Sequence, residues 1–168
     1  MEFLGVNTCI SEVQYQPTNR PIEDRISVVQ DKNYHRIIAG VFDGHGGPQT
    51  ADYLSKFLPE EILQSIPFNA SPETISEKLI SIFESFDNRI LEDFTRTFHR
   101  LLRIPIHALR LNQIGHKLRN DPAARMIADR AKSGSTALIA FIDRGNVYLA
   151  NTGDCRAGEL LFLLFIVI

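Results

Sequence analysis

Two kinds of apolar spacing divide the chain. Short apolar runs bounded by turn residues read as strands, and longer stretches with apolar residues every three or four positions read as helices. Arg25–Gln30 (RISVVQ) and Arg36–Phe42 (RIIAGVF) are of the first kind, and Asp31-Lys32-Asn33 between them predicts a hairpin. The second run stops at Asp43, where DGHGGP begins, and Pro48 suits the first residue of a helix running to about Phe57. Ser71-Pro72-Glu73 is a helix start: a serine cap, proline at the first position and an acid in the first turn. Ile75, Leu79, Ile82, Phe83, Phe86, Ile90, Leu91, Phe94 and Phe98 then follow at helical spacing, predicting one long helix with a core-facing stripe. Residues 99–120 are rich in His, Arg and Lys and read as an irregular, solvated insertion. A short helix is expected near Pro122–Lys132. Thr136–Ile142 (TALIAFI) and Asn146–Asn151 (NVYLAN), joined by Asp143-Arg144-Gly145, predict a second hairpin. Antiparallel hairpins with segregated helices mean α+β.

The chain ends in Leu160–Ile168, LLFLLFIVI, an unbroken apolar run of nine residues, well short of the roughly 20 a membrane helix needs. It reads either as a buried strand or as the mark of a chain cut off before its domain is complete. The absence of alternation favours the second reading.

Composition changes this picture little. The chain has 168 residues, 44% hydrophobic and 23% charged, with a formal net charge of -2. That excludes disordered and collagen-like chains and gives no basic excess for nucleic acid. Two cysteines, Cys9 and Cys155, make neither a disulfide framework nor a metal spacing. The first residues carry Glu2 and Glu12 without Arg or Lys, so they resemble neither a signal peptide nor a mitochondrial presequence.

The candidate chemistry lies at strand ends. Glu23 and Asp24 open the first strand, Asp43 closes the second and Asp154 follows the last. A hairpin brings Glu23 near Asp43. Carboxylates brought close repel unless a cation lies between them or a proton is taken up. A hard divalent ion, Mg²⁺ or Mn²⁺, suits oxygen ligands. Gly44 lets the backbone turn and offer its carbonyl, and His45 is suited to proton transfer near neutrality. Taken singly, each feature has a plainer reading as a solvated turn or a structural histidine. Their combination points to a metal-assisted site, although a general metal-binding α+β domain is also compatible with it.

PIEDR at 21–25, GVFDGHGG at 40–47, SGSTA at 133–137 and ANTGDCRA at 150–157 occur in an order that resembles the metal-dependent protein phosphatases, the type 2C serine/threonine family. The resemblance spans about Asn19 to Ala157. Within the family, PIEDR, GVFDGH and ANTGDCRA are most similar to the pyruvate dehydrogenase phosphatase branch. Many members carry an Arg four residues before the Glu to hold the substrate phosphate; Asn19 stands there, with Arg20 beside it.

The resemblance implies a β-sandwich flanked by helices, with two Mg²⁺ or Mn²⁺ ions at one end. It implies that Asp43 bridges both ions and that Glu23 and the Gly44 carbonyl complete the second. Asp24 would orient water, Asp154 would serve a weaker third ion, His45 would be the general acid, and Asn19 or Arg20 would meet the phosphate. SGSTA is implied to be structural. The expected domain layout is a lead-in over 1–18, the N-terminal part of the phosphatase domain over 19–157 and an aberrant apolar tail over 158–168. Two further aspartates of the family have no counterpart after Asp154, so the expectation is a truncated phosphatase, weak or inactive alone. The alternative is a non-catalytic phosphoprotein-binding or regulatory fragment. The expected partner is a phosphoprotein, with the pyruvate dehydrogenase complex as the specific candidate, and neither nucleic acid nor a membrane span. The resemblance implies the mitochondrial matrix, with the cytoplasm as the alternative.

Overall fold

The two predicted hairpins join into one antiparallel sheet. A computed structural model describes residues 22–31, 36–102, 111–160 and 163–167. Its elements are β1 (Arg25–Asp31), β2 (Arg36–Phe42), β3 (Gly44–His45), α1 (Gln49–Ser65), α2 (Pro72–Leu102), α3 (Leu111–Asn120), α4 (Pro122–Lys132), β4 (Gly134–Ser135), β5 (Ala137–Asp143), β6 (Asn146–Thr152), β7 (Arg156–Leu160) and β8 (Leu163–Val167). The sheet runs β1-β2-β5-β6, in register from Arg25↔Phe42 through Val41↔Leu138 to Asp143↔Asn146.

Both faces of this sheet are apolar, for different partners. Successive side chains alternate between faces. Ile38, Phe42, Ile139 and Phe141 point one way and bury against Leu54, Leu58 and Ile62 of α1 and Ile75, Leu79, Ile82 and Phe86 of α2. Each such side chain contributes on the order of 1.5–3 kcal/mol when fully buried. Val41 and Leu138 point the other way and pack with Cys155, Ile26 and Ala157. The β7–β8 pair therefore begins a second strand layer on that face, giving the expected α+β order of helices, sheet and strands. Val28, Val147 and Leu149 on the same face are 41%, 49% and 52% exposed. No described helix is long and apolar enough to cross a membrane.

Several expectations are corrected. Helix α1 does not stop at Phe57 but continues through Pro59 to Ser65. Proline removes one backbone donor and strains the preceding turn, yet Leu58, Pro59, Ile62 and Leu63 are all buried, and that packing outweighs the local rule. The stretch 99–120 is not irregular where it is described: α2 extends to Leu102, and Leu111–Asn120 form α3. The helical spacing of Leu111, Ile114 and Leu118 was obscured by the charges around it. The expectation for 103–110 lies outside the described residues, as do the lead-in, Cys9 and the turn at Lys32-Asn33. In α2, Leu91 departs from the core-facing stripe and is 64% exposed.

The helix starts follow their caps. The Ser71 hydroxyl accepts from the Thr74 amide at 3.3 Å, and Asp121 accepts from the Ala124 amide at 3.0 Å ahead of Pro122. Asp143 is not a turn residue but the buried last residue of β5. The turn is Arg144-Gly145, with φ of 50° and 79°, a backbone that suits a two-residue hairpin. In the tail, β7 begins at Arg156, and β8 pairs with it from Arg156↔Val167 to Leu160↔Leu163.

Candidate active site

The register of β1 and β2 builds the site. Arg25 opposite Phe42 places the Ile22–Asp24 turn beside Asp43, Gly44 and His45. Arg25 then fastens that turn. Its Nη1 donates to the carbonyls of Ile22 (3.2 Å) and Asp24 (2.7 Å), while its Nε donates to Asp52 of α1 at 2.5 Å. Glu23 meets Gly44 through its backbone: a Cβ on Gly44 would strike the Glu23 carbonyl oxygen and lie 3.2 Å from the Ala51 Cβ. Only glycine permits that approach.

A second pair of strands fixes the other side. The Thr136 amide donates to the Asp43 carbonyl at 2.9 Å, and β3 and β4 pair Gly44↔Ser135 and His45↔Gly134. The Ser133 amide donates to the Asp129 carbonyl at the end of α4, and its hydroxyl accepts from the Thr50 amide at 3.1 Å at the start of α1. The Thr50 hydroxyl donates to the Arg130 carbonyl at 2.8 Å. Two helices and the DGH segment are thus tied to the SGST segment. On the far side, the Asn151 side-chain Nδ2 donates to the Cys155 carbonyl at 3.1 Å, gathering the Gly153–Asp154 turn.

Charge identifies where these elements converge. The Asp43 carboxyl is held above the usual carboxylate range, first by burial, then by the negative charges of Asp24 and Asp154 and by a hydrogen bond with the Asp24 side chain; His45 opposes the shift. Asp24, Asp154 and His45 therefore all act on Asp43. The donor chemistry suits a hard divalent cation: three carboxylates with unrelieved mutual repulsion. Yet no group of three or more His, Cys, Asp or Glu among the described residues is placed to hold an ion. The expected ligand set of Glu23, Asp24, Asp43, Gly44 and Asp154 is thus present in part, without closing into a cage. Asn19 and Arg20, the expected phosphate-binding residues, lie outside the described residues.

Sequence reasoning missed Arg25, Asp52, Thr50 and Gly134 as parts of the site. A signal existed for two of them: Arg25 adjoins Glu23-Asp24, and Gly134 lies inside SGSTA.

The family model "Protein phosphatase 2C" matches residues 11–158, nearly the whole chain and all the elements just described up to Gly158. The chain belongs to the protein phosphatase 2C family. Among its relatives, "Probable protein phosphatase 2C 3" of Paramecium tetraurelia is 29% identical over 91% of this chain and 43% of its own length. "Protein phosphatase 1L" of Bos taurus is 26% identical over 92% of this chain and 36% of its own. "Probable protein phosphatase 2C member 13, mitochondrial" of Oryza sativa subsp. japonica is 31% identical over 70% and 23%. The crystal structure of a serine-threonine phosphatase 2C from Toxoplasma gondii is similar with a TM-score of 0.41 and 16% identity, covering 88% of this chain and 44% of that one. The chain spans less than half the length of these phosphatase 2C relatives.

Proposed function

We propose that this phosphatase 2C chain serves the hydrolysis of phosphoserine and phosphothreonine in proteins. The observation that carries the reading is the convergence of Asp24, Asp43, Asp154 and His45 at one end of the sheet, where burial and like charge hold Asp43 above its usual range. Mg²⁺ or Mn²⁺ held by Asp43, the Gly44 carbonyl and Glu23, with Asp24 and Asp154 around them, would supply positive charge against the phosphoryl oxygens and acidify water.

The chain's own residues divide the remaining work. Asp43 and Asp24 concentrate negative charge where a cation is needed, and Arg25 holds the Glu23–Asp24 turn in place through Asp52. Exposed His45, beside Asp43, is placed to protonate the serine oxygen as the P–O bond breaks, because an alkoxide is a poor leaving group. Asn19 and Arg20 are assigned to the substrate phosphate. On the substrate side, Asn19 with PIEDR and ANTGDCRA supports the pyruvate dehydrogenase phosphatase branch, and hence phosphorylated pyruvate dehydrogenase in the mitochondrial matrix. The name of the Oryza sativa relative agrees with that compartment.

The test is hydrolysis of a phosphoserine peptide with Mn²⁺, run beside calorimetric Mn²⁺ titration. Turnover that disappears in Asp43→Asn supports the enzyme. Binding of the phosphopeptide without turnover supports the alternative role as a phosphoprotein-binding fragment. A titration showing no Mn²⁺ uptake removes the metal assignment. Comparing peptides from pyruvate dehydrogenase with unrelated phosphopeptides tests the substrate.

A further inference from the structure

The pairing of His45 with Gly134 has a chemical consequence. In the β3–β4 register the two residues face each other, and the imidazole lies over the Gly134 Cα. A Cβ on Gly134 would sit 2.6 Å from Cε1 and 2.9 Å from Cδ2 of His45, and closer still to Nε2. All three of these atoms belong to the ring of His45; none is backbone. We propose that Gly134 is a positioning residue for His45: the missing side chain makes the berth in which the imidazole lies, and so sets where the proton donor stands. The proposal rests on the reading of His45 as the acid that protonates the leaving serine.

Two features make Gly134 separable from the fold. Its φ is not in the left-handed region, unlike Gly46, Gly47, Gly145 and Gly153, so alanine fits the backbone. The obstruction is the free end of an exposed side chain, so the imidazole swings aside while the strands keep their register. Gly44 is the contrast, because a Cβ there meets the Glu23 carbonyl and would displace the acidic turn itself. In the step concerned, the oxygen of water forms a bond to phosphorus as the P–O bond to serine breaks. The serine oxygen takes a proton from the imidazolium, the attacking water releases one of its protons to solvent, and solvent returns a proton to the neutral imidazole.

The leaving group reads this out. A serine alkoxide needs the proton, whereas p-nitrophenolate departs without it. Gly134→Ala and His45→Gln are each expected to raise the ratio of kcat on p-nitrophenyl phosphate to kcat on a phosphoserine peptide by about 10²-fold, the low end for general acid catalysis. The double variant should match the single ones rather than multiply them. An unchanged ratio in Gly134→Ala, or multiplied losses in the double variant, overturns the proposal. If the wild-type protein hydrolyses neither substrate, the phosphatase reading fails separately. Gly134 is then judged by the ring ¹³C–¹H resonances of ¹³C-histidine-labelled protein, assigned through His45→Gln. A shift confined to His45 in Gly134→Ala supports the berth, and unmoved His45 resonances overturn it.

Discussion

Asp143 and Asp43 end neighbouring strands at opposite ends of the same sheet, each followed by a glycine-containing turn, and their surroundings differ in sign. Asp143 is 1% exposed and ion-paired to Arg144 at 2.9 Å. Arg144 also reaches the Ala70 carbonyl, and nearby Arg36 bonds Asp31 at 2.8 Å and the carbonyls of Leu63 and Ile66. That end brings its own cations. Asp43 has Asp24 and Asp154 for neighbours, and its carboxyl is pushed up rather than down. One end of the sheet is neutralised for stability, while the other keeps an unrelieved negative charge. The carboxylates thus gather at one end of the sheet, and the buried Asp143–Arg144 pair lies at the other.

The largest expected effect comes from breaking the neutral end. Arg36 is 5% exposed and caps the end of α1 through the Leu63 and Ile66 carbonyls. Arg36→Met keeps most of the apolar stem but leaves Asp31 without this ion pair and both carbonyls without this donor. The expected loss is about 3–5 kcal/mol, as for removal of one partner of a buried pair. A urea titration measures it as a lower midpoint. A loss under about 1 kcal/mol would mean that the arginine contributes packing alone.

At the other end a cation should stabilise. Mn²⁺ at about 100 times its dissociation constant adds about 2.7 kcal/mol to the folded state. The wild-type protein should melt at a higher temperature with Mn²⁺ than with EDTA, and Asp43→Asn should not respond. An equal rise in both would place the ion elsewhere.

How far the sequence showed this contrast depends on whether a feature is local. The four strands of the sheet were legible, because Arg25–Gln30, Arg36–Phe42, Thr136–Ile142 and Asn146–Asn151 are short apolar runs with turn residues between them. The start of α2 was legible from Ser71-Pro72-Glu73. The continuation of α1 through Pro59 was not, since burial against the sheet decides it. Nor was α3, whose apolar period is masked by charge. The acids of the site were legible as strand-end residues. Whether they close into a cage is a matter of distances, and so is the side-chain berth at Gly134, which only the register with His45 reveals. Asp143 was misread because a polar residue before Arg-Gly looks like a turn until its ion pair is seen.

The smallest effect is the most diagnostic of the contrast, because it reverses the usual sign. The folded state raises the pKa of Asp43 above the ordinary value of 3.8. Between those two values the native state binds more protons than the unfolded chain, so this group's contribution to stability falls as pH rises through the window. At neutral pH Asp43 is thus a liability to the metal-free fold. Asp43→Asn removes the charge but keeps the shape, so in EDTA at neutral pH it should melt slightly above the wild type. Its advantage should shrink as pH falls through the raised pKa and vanish below the unfolded value, where Asp43 is protonated in both states. Thermal melts of the two proteins across that range measure it. A variant less stable than the wild type at neutral pH would show that Asp43 is already compensated, and the two ends of the sheet would then be alike.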